Sequence, residues 1–398
     1  MGGLGPRAAA ARIFHIAEEV SALNRNASLT LLKRYPALED IYRHMAAILI
    51  RDLISILGGT MRSPPVDNGI SRRAVLTVLG ASAMGLAFMN SPVFAHEAKE
   101  EALRSLLPNF REHSRSLLSQ VLQDPKFSGR IPGSAVEAIA KSENVSVDDL
   151  MLSLLPLARS YSRAPISNFF VGVTVRGASG SLYLGANIEI SGQCLGFAVH
   201  AEQSALSNAY MNSEQSVTSL AVVGGAPCGH CRQFMEEMSP AGEILILIPN
   251  QPASKLASIL PAAFGPAALG ATQGALPVRK ASLSLTSEPP DTLATAALDA
   301  ACRSYAPYSK SPSGVAVRTT RGRVFQGCYI ENVAFNPSLS PLQTALVQLI
   351  AAGEDYSAIS AVMLVEVQGT KISQRAVTET VLAALAPRLK LQIALARA

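Results

Sequence analysis

Residues 198–231 read AVHAEQSALSNAYMNSEQSVTSLAVVGGAPCGHC, and this stretch decides the fold and chemistry that we predict for the chain. It holds His200 and Glu202, two residues apart, and then Cys228 and Cys231 at C-x-x-C spacing. Each half alone is weak evidence, because an H-x-E triplet is common by chance and a C-x-x-C pair has several uses. Together they predict a catalytic zinc site, in which three protein ligands leave a fourth position open for water.

The three predicted ligands are His200, Cys228 and Cys231, since zinc accepts imidazole nitrogen and thiolate sulfur. Glu202 is predicted on a helix that begins near Val199, where it points into the same pocket without ligating and serves as general acid and base. Pro227 suits the first turn of a second helix. The free N–H groups and positive dipole at such a helix start stabilise thiolates.

Two other interpretations of these residues compete with a catalytic zinc site. A thioredoxin-like redox pair would explain the C-x-x-C spacing, but it has no use for an H-x-E triplet upstream. A structural zinc site would need a fourth protein ligand, and His230 is the candidate. Because His230 stands between the two cysteines, joining all of them to one ion is awkward, and we interpret it as a residue of the helix start.

The pattern H-x-E followed by P-C-x-x-C is the signature of the zinc deaminases, and the chain therefore resembles the cytidine deaminase superfamily. A second observation makes the resemblance specific. The segment PISNFFVGVTVRGASGSLYLGANIE at 165–189 aligns without a gap with PYSKSPSGVAVRTTRGRVFQGCYIE at 307–331. After a two-residue shift, HAEQSAL at 200–206 aligns with SPLQTAL at 340–346.

The second copy has lost its predicted zinc site. Ser340 stands where His200 would be, Leu342 stands where Glu202 would be, and no cysteine follows Cys328. A duplicated deaminase unit with one dead copy resembles the two-domain cytidine deaminases.

Composition fits a protein with a large hydrophobic core in a reducing compartment. The 398 residues are enough for two domains with an appendage, and 48% hydrophobic residues allow a large core. Five irregularly spaced cysteines do not make a disulfide framework and suit a reducing compartment. Residues 1–95 hold ten basic and six acidic side chains, and the rest holds 24 and 23. The near-neutral body gives no electrostatic footprint for nucleic acid.

We predict an α/β protein with the three-layer α/β/α cytidine-deaminase-like fold, duplicated, with mixed sheets and an N-terminal helical region. Strands FFVGVTVR and SLYLGANI are predicted to form a hairpin across the turn at 177–181. Two helical stretches, 101–123 and 135–162, precede them. The predicted domains are an extension of uncertain status at 1–95 and a helical region at 96–160. They are followed by the catalytic zinc domain at 161–275 and a degenerate second deaminase-like domain at 290–398, which lacks zinc ligands.

The first 95 residues match nothing that we associate with the family. Residues 1–60 have helical apolar spacing. Residues 61–95 carry the pair Arg72-Arg73, an apolar run and a small-residue end, which looks like a twin-arginine export signal placed inside the chain. Three interpretations compete. The segment is a true signal with the protein's real start at Met61, or it is an apolar helix packed on the body. In the third, residues 1–95 together are an appendage, even a misassigned upstream reading frame. The apolar run is short for a membrane span.

The resemblance implies hydrolysis of cytidine and 2′-deoxycytidine to the uridine forms and ammonia, in pyrimidine salvage, with one catalytic Zn²⁺ per chain. It implies a cytoplasmic homodimer that takes a nucleoside and has no nucleic-acid or membrane partner; export is the alternative if segment 61–95 is a signal. The metal ligands would be His200, Cys228 and Cys231, with Glu202 as catalytic acid and base. The implied substrate-binding residues are Asn187, Glu189, Phe169, Phe264 and Ala201.

Asn187 and Glu189 would bind the ribose hydroxyls, and an amide and a carboxylate on one face of a strand suit that role. The alternative for Glu189 is a carboxylate on the surface at the end of a strand. Phe169 and Phe264 would pack on the pyrimidine; the alternatives are an ordinary core residue and a loop anchor. Ala226 stands before Pro227 where a threonine is common, and its backbone carbonyl can still accept a hydrogen bond from the 4-amino group.

Two other functions share parts of this pattern. A deaminase of bases in RNA or DNA would need a basic channel and stacking aromatic residues, and the near-neutral body and the GANIE strand argue against it. A non-catalytic nucleoside-binding or structural zinc protein would have no use for Glu202.

Overall fold

The protein is described from a computed structural model, in which residues 100–238, 240–289 and 291–397 are described. The predictions for residues 1–95, the helices of 1–60 and the signal-like segment 61–95, lie outside the described residues. No helix in the described ranges is long and apolar enough to cross a membrane.

Helices form the N-terminal part of the described chain, as predicted, but they are shorter than the sequence pattern indicates. A 3-10 turn at Leu107–Asn109 interrupts the predicted helix 101–123 at Pro108. Asn144 adopts a left-handed conformation (φ 58°) and ends a helix inside the predicted stretch 135–162. Residues 100–106 are helical before the 3-10 turn, and the helices that follow are α1 (Glu112–Gln123), α2 (Gly133–Glu143), α3 (Val147–Ser153) and α4 (Leu155–Arg159).

A six-stranded mixed sheet follows in the order β1-β3-β2-β4-β5-β6. Its strands are β1 (Arg130–Ile131), β2 (Gly172–Gly177), β3 (Leu182–Ala186), β4 (Val217–Val223), β5 (Leu245–Leu247) and β6 (Ser254–Lys255). The predicted hairpin is confirmed as β2 and β3, which pair antiparallel, whereas β4 and β5 pair parallel. The helices of this first copy are α5 (Ala201–Met211), α6 (Gly229–Glu236) and α7 (Leu256–Ile259).

A five-stranded sheet in the order β7-β11-β10-β8-β9 forms the second copy. Its strands are β7 (Ser284–Leu285), β8 (Ser313–Thr319), β9 (Val324–Cys328), β10 (Ile359–Val367) and β11 (Gln392–Arg397), and its helices are α8 (Thr292–Cys302), α9 (Pro341–Ala351) and α10 (Arg375–Leu385). The order β9-β8-β10-β11 repeats the order β3-β2-β4-β5 of the first sheet, with the same parallel and antiparallel pairs. The predicted duplication is therefore confirmed.

Glycines on opposite faces of each sheet let helices approach closely. A Cβ on Gly172 would lie 2.7 Å from the backbone oxygen of Leu155 in α4, and one on Gly185 would lie 2.7 Å from that of Ala201 in α5. Gly172 pairs with Ala186, so the neighbouring Gly185 faces the other side of the sheet. Helices thus cover both faces, as in the predicted three-layer architecture.

The two copies meet through α5 and α9, and the contacts are reciprocal. The side-chain amide of Gln203 donates to the carbonyl of Pro337 (2.9 Å), and the equivalent Gln343 donates to the carbonyl of Phe197 (3.1 Å). Each acceptor stands three residues before the N-cap of its own helix. Such reciprocity is the property of a two-fold interface between like units.

The pair Asn208 and Gln348 lies at the centre of this interface. The two residues occupy equivalent positions in α5 and α9, and the amide of Gln348 donates to Oδ1 of Asn208 (3.2 Å). A position that contacts its own equivalent lies on the local two-fold axis. The copies are therefore related by an approximate two-fold axis that passes between α5 and α9.

Candidate metal centre and substrate pocket

His200 is the N-cap of α5 and is held there by local pairing. Its backbone N–H donates to Oε1 of Gln203 (3.1 Å), as in a capping box. The preceding residue, Val199, exchanges two backbone hydrogen bonds of 2.8 Å with Ile188, just beyond the end of β3. This pairing brings the start of α5 beside the GANIE strand.

Cys228 is the N-cap of α6, and Cys231 lies in the first turn of that helix. The Arg232 side chain fixes this helix start: its Nε donates to the carbonyl of Pro227 and its guanidinium donates to that of Ile259, both at 2.7 Å. Cys228 is exposed, whereas Cys231 is buried. The site therefore opens to solvent on the side of Cys228.

The three predicted ligand atoms are brought together. The Nδ1 of His200 lies 3.5 Å from the Sγ of Cys228 and 3.3 Å from the Sγ of Cys231, and the two sulfurs are 3.6 Å apart. A tetrahedral zinc ion with ordinary bond lengths requires about 3.8 Å between sulfurs and about 3.6 Å between sulfur and nitrogen. The donor set and its spacing thus fit one zinc ion.

The thiol protons reflect the closeness of the two sulfurs. A hydrogen bond from Cys231 lowers the pKa of the Cys228 thiol to about 4, and the same contact raises the pKa of Cys231. Zinc takes cysteine as thiolate. Zinc binding at this site therefore requires both cysteines to be deprotonated.

Glu202 lies in the first turn of α5, two residues from His200, and only 6% of its surface is exposed. Burial raises the pKa of this carboxyl group above its usual value. It is not among the residues whose ligand atoms converge on the metal position. The arrangement places a carboxyl group beside the candidate metal centre.

His230 is the second residue of α6, and its ring lies 5.2 Å from the ring of His200, centroid to centroid. Burial lowers its pKa. In the described part of the chain, the one metal-binding group of His, Cys, Asp or Glu contains His200, Cys228 and Cys231 but not His230. The structural zinc site with His230 as fourth ligand has no support in this geometry.

Asn187 organises the loop that precedes β2. Its Oδ1 accepts hydrogen bonds from the Ser162 hydroxyl (2.6 Å) and the Val171 N–H (2.9 Å), and its Nδ2 donates to the Phe169 carbonyl (2.8 Å). One N–H of the amide stays available. Phe169 is 56% exposed and is not a core residue.

Glu189, two residues after Asn187, also holds the loop that precedes β2. Its Oε2 accepts from the N–H groups of Ile166 and Ser167 (both 2.9 Å), and its Oε1 accepts from the Ser167 hydroxyl (2.5 Å). About one of the four acceptor positions of a carboxylate remains. Its equivalent, Glu331, also accepts from two N–H groups, those of Tyr308 and Ser309, so holding the loop is common to both copies.

Phe264 and Ala201 complete the predicted set. Phe264 lies beyond α7, its ring is 49% exposed, and its carbonyl accepts from the Gln233 side chain (2.8 Å) in α6. Ala201 is the buried first residue of α5. The structure thus gathers Asn187, Glu189 and Phe169 into one cluster, and ties Phe264 to the helix of the two cysteines.

The sequence analysis missed Ser162 and Ser167, which orient Asn187 and Glu189. Ser167 has a signal, because Ser309 occupies its aligned position in the second copy. Ser162 has none. In the second copy Ser340 is the N-cap of α9 and its hydroxyl accepts from the N–H of Gln343, so a capping serine replaces the predicted metal ligand.

Comparisons with known proteins find relatives of this chain. Two family models described as "Cytidine and deoxycytidylate deaminase zinc-binding region" match residues 145–247 and 256–379. Cytidine deaminase of Vibrio atlanticus is 44% identical over 69% of this chain and 92% of its own length. That of Vibrio vulnificus is 43% identical over 72% and 95%. A crystal structure of cytidine deaminase from Mycobacterium tuberculosis covers 29% of this chain and 96% of its own, at 27% identity and TM-score 0.28.

Proposed function

The chain belongs to the cytidine and deoxycytidylate deaminase family, and we infer from this premise that it hydrolyses cytidine and 2′-deoxycytidine to the uridine forms and ammonia. Zinc is its cofactor. The observation that carries this function is the convergence of His200, Cys228 and Cys231 at zinc-binding distances with the buried carboxyl group of Glu202 beside them.

His200, Cys228 and Cys231 would hold the zinc ion. Zinc bound there supplies a Lewis acid that makes water a nucleophile at neutral pH. Glu202 accepts a proton from the attacking water and delivers it to the ring nitrogen beside the reacting carbon. It then takes the remaining proton of the added hydroxyl group and passes it to the amino group, which leaves as ammonia while that oxygen becomes the carbonyl of uridine. Its burial keeps both forms of the carboxyl group away from bulk water and close to the reacting atoms.

Asn187 and Glu189 bind the sugar through the hydrogen-bonding positions that their contacts with the loop leave unused. Asn187 offers one N–H and Glu189 offers about one acceptor position. A single hydroxyl group, which both accepts and donates, satisfies the two together. Ribose and 2′-deoxyribose share the 3′-hydroxyl, so this arrangement admits both nucleosides.

Phe169, Phe264 and Ala201 form the surroundings of the base. The exposed rings of Phe169 and Phe264 offer apolar faces to a pyrimidine. Asn187 sets the position of Phe169 through its backbone carbonyl, and Gln233 does the same for Phe264. Ala201 contributes the start of α5, between the metal ligand and the catalytic carboxyl group.

A single assay tests the reaction. Purified protein is added to cytidine, and the ultraviolet absorbance of cytidine is followed as uridine forms. We expect a steady loss of absorbance that prior incubation with a zinc chelator abolishes and added zinc restores. Unchanged absorbance with zinc-loaded protein would refute the proposed activity.

We also propose that the protein acts in pyrimidine salvage in the cytoplasm and forms a homodimer in which the second copy covers an active site of the partner. The dimer is supported by an exposed aromatic residue on the second copy. Phe335 is 64% exposed and adopts a φ of 65°. A residue other than glycine at such a φ is strained, and strain of this kind concentrates at binding sites. Leu195, in the equivalent loop of the first copy, is 72% exposed.

Substitution of Phe335 by aspartate is expected to convert the dimer to monomers and to lower activity, because a charge in an apolar contact is costly to bury. Analytical sedimentation and cytidine turnover measure the two effects. Val145→Asp, at another exposed apolar position, is the matched control and should leave both unchanged. A wild-type protein that sediments as an active monomer would refute the dimer.

Removal of residues 1–95 is expected to leave turnover and melting temperature unchanged, because all site residues and both sheets lie beyond Ala95. The comparison is between the 96–398 fragment and the full chain. A large loss of either quantity would make the extension an integral part of the enzyme. If segment 61–95 exports the protein instead, a reporter fused after Ala95 will reach the periplasm of a bacterial host.

A further inference from the structure

Glu237 directly follows α6, the helix that begins at Cys228, and its side chain is 0% exposed. Its Oε1 accepts hydrogen bonds from the hydroxyls of Tyr305 (2.7 Å) and Tyr308 (2.5 Å), and its Oε2 accepts one from the backbone N–H of Val333 (2.8 Å). All three donors belong to the second copy. We call these four residues the Glu237 clamp.

The clamp is an unusual way to join two packed units. In the described ranges, no lysine, arginine or histidine forms an ion pair with Glu237. Burial raises the pKa of this carboxyl group, while its hydrogen bonds from Tyr308, Val333 and Tyr305 act in the opposite direction. A buried carboxylate is expensive to desolvate, and an apolar side chain would join the copies more cheaply. What the carboxylate adds is direction, because each of its bonds fixes an angle.

The clamp also breaks the two-fold relation between the copies. The glutamine contacts of α5 and α9 are reciprocal, so they serve both copies alike. Helix α10 corresponds to α6, and its N-cap, Gln374, corresponds to Cys228. Glu237 stands nine residues after Cys228, but nine residues after Gln374 the chain has Ala383. Only the helix with the two cysteines is therefore held by a carboxylate at its far end.

The clamp and a neighbouring contact fix α6 as a rigid body. Asn332, also fully buried, donates from Nδ2 to the carbonyl of Gln233 in α6 (2.8 Å). Arg232 holds the start of the helix through residues of the first copy. The second copy thus sets the axial position and rotation of a helix of only eight residues. Both cysteines move with any rotation of that helix.

We propose that the Glu237 clamp positions Cys228 and Cys231 for zinc, so that the second copy, which holds no zinc ligands of its own, maintains the metal site of the first. This inference rests on the proposed function, because it takes the two cysteines as the zinc ligands. Tyr305, Tyr308 and Glu237 are positioning residues that act through α6. Their contribution lies in metal retention rather than in contact with the nucleoside.

The test measures zinc release from the zinc-loaded, full-length protein to a colorimetric chelator. The double variant Tyr305→Phe/Tyr308→Phe keeps both rings and removes both hydroxyl donors. We expect zinc to be released roughly 10-fold faster, at the lower end of the effect of removing a group bonded directly to a metal ligand, because the two hydroxyls act on the cysteines only through α6. The KM for cytidine should stay at the wild-type value, and excess zinc should restore kcat. Tyr308→Phe alone should show a smaller acceleration, and it replaces the double variant if that variant does not fold.

Tyr183→Phe is the matched control. The hydroxyl of Tyr183 donates to the Glu214 carboxylate (3.0 Å) within the first copy, and Tyr183 is buried in β3, away from α6. This variant loses the same kind of bond and should release zinc at the wild-type rate. If the tyrosine variants release zinc at the wild-type rate, and their melting temperature falls only as much as that of Tyr183→Phe, the positioning role of the clamp is refuted and the proposed function stands. A wild-type protein that binds no zinc would overturn the proposed function as well.

Discussion

The Glu202→Gln variant will retain its zinc and lose most of its activity. Glu202 lies outside the group of converging ligand atoms, so its replacement leaves all three ligands in place. Glutamine has nearly the same shape but can neither accept the proton of the attacking water nor donate one to the base. General acid–base catalysis contributes about two to four orders of magnitude, and a residue that makes several transfers exceeds a single step.

Three measurements separate this outcome from a structural role of Glu202. Zinc content should match the wild type, uridine binding should persist because Asn187 and Glu189 are unchanged, and cytidine turnover should fall by at least the range given above. Gln203→Glu is a useful control for folding, since Gln203 lies beside Glu202 and contacts the second copy instead; it should lower stability. A Glu202→Gln protein that deaminates at nearly the wild-type rate would end this assignment of the catalytic acid and base.

Cys228→Ala will lose both metal and activity. Of the three candidate ligand residues, Cys228 is the exposed one, and the contact with Cys231 lowers the pKa of its thiol to about 4, which favours the thiolate form that zinc binds. Alanine leaves two ligands, which do not hold zinc against competition from water and chelators. Zinc content by atomic emission and cytidine turnover should therefore fall together, in contrast to the Glu202→Gln variant.

Cys302→Ala provides the comparison for Cys228→Ala. Cys302 is a free cysteine in α8 of the second copy, and it lies outside the metal-binding group. Its replacement should leave zinc and turnover at wild-type values. Retention of stoichiometric zinc by the Cys228→Ala protein would mean that another side chain completes the site, and would refute the ligand set.

Local pattern predicted much of the fold. The hairpin of β2 and β3 follows from two β-rich runs around a glycine turn, and α5 begins within two residues of the predicted start because its N-cap lies in the motif itself. The stretch 135–162 shows the limit of periodicity. Its apolar spacing continues through Asn144, but a left-handed residue ends the helix there, and single-residue backbone conformations are not encoded in spacing.

The candidate ligand set was accessible from the sequence because each part of the motif is contiguous. The contacts that support this ligand set could not be predicted from the sequence. Ile188 pairs with Val199 across a loop, Ser162 reaches Asn187, and Glu237 finds its donors in another copy of the fold. Each of these depends on how distant segments pack. In the sequence, Glu237 is one of two adjacent acidic residues at a helix end, where a solvated position is the ordinary expectation.

The reciprocal amide contacts between α5 and α9 have a consequence for how the enzyme behaves at low abundance. An interface of this two-fold kind, between separate subunits, would dissociate on dilution. Here a peptide linkage joins its two sides, and a short flexible connection corresponds to an effective concentration in the millimolar range. Helix α6 therefore stays in contact with the second copy at any expression level. The ratio of one second copy to each first copy is fixed at translation.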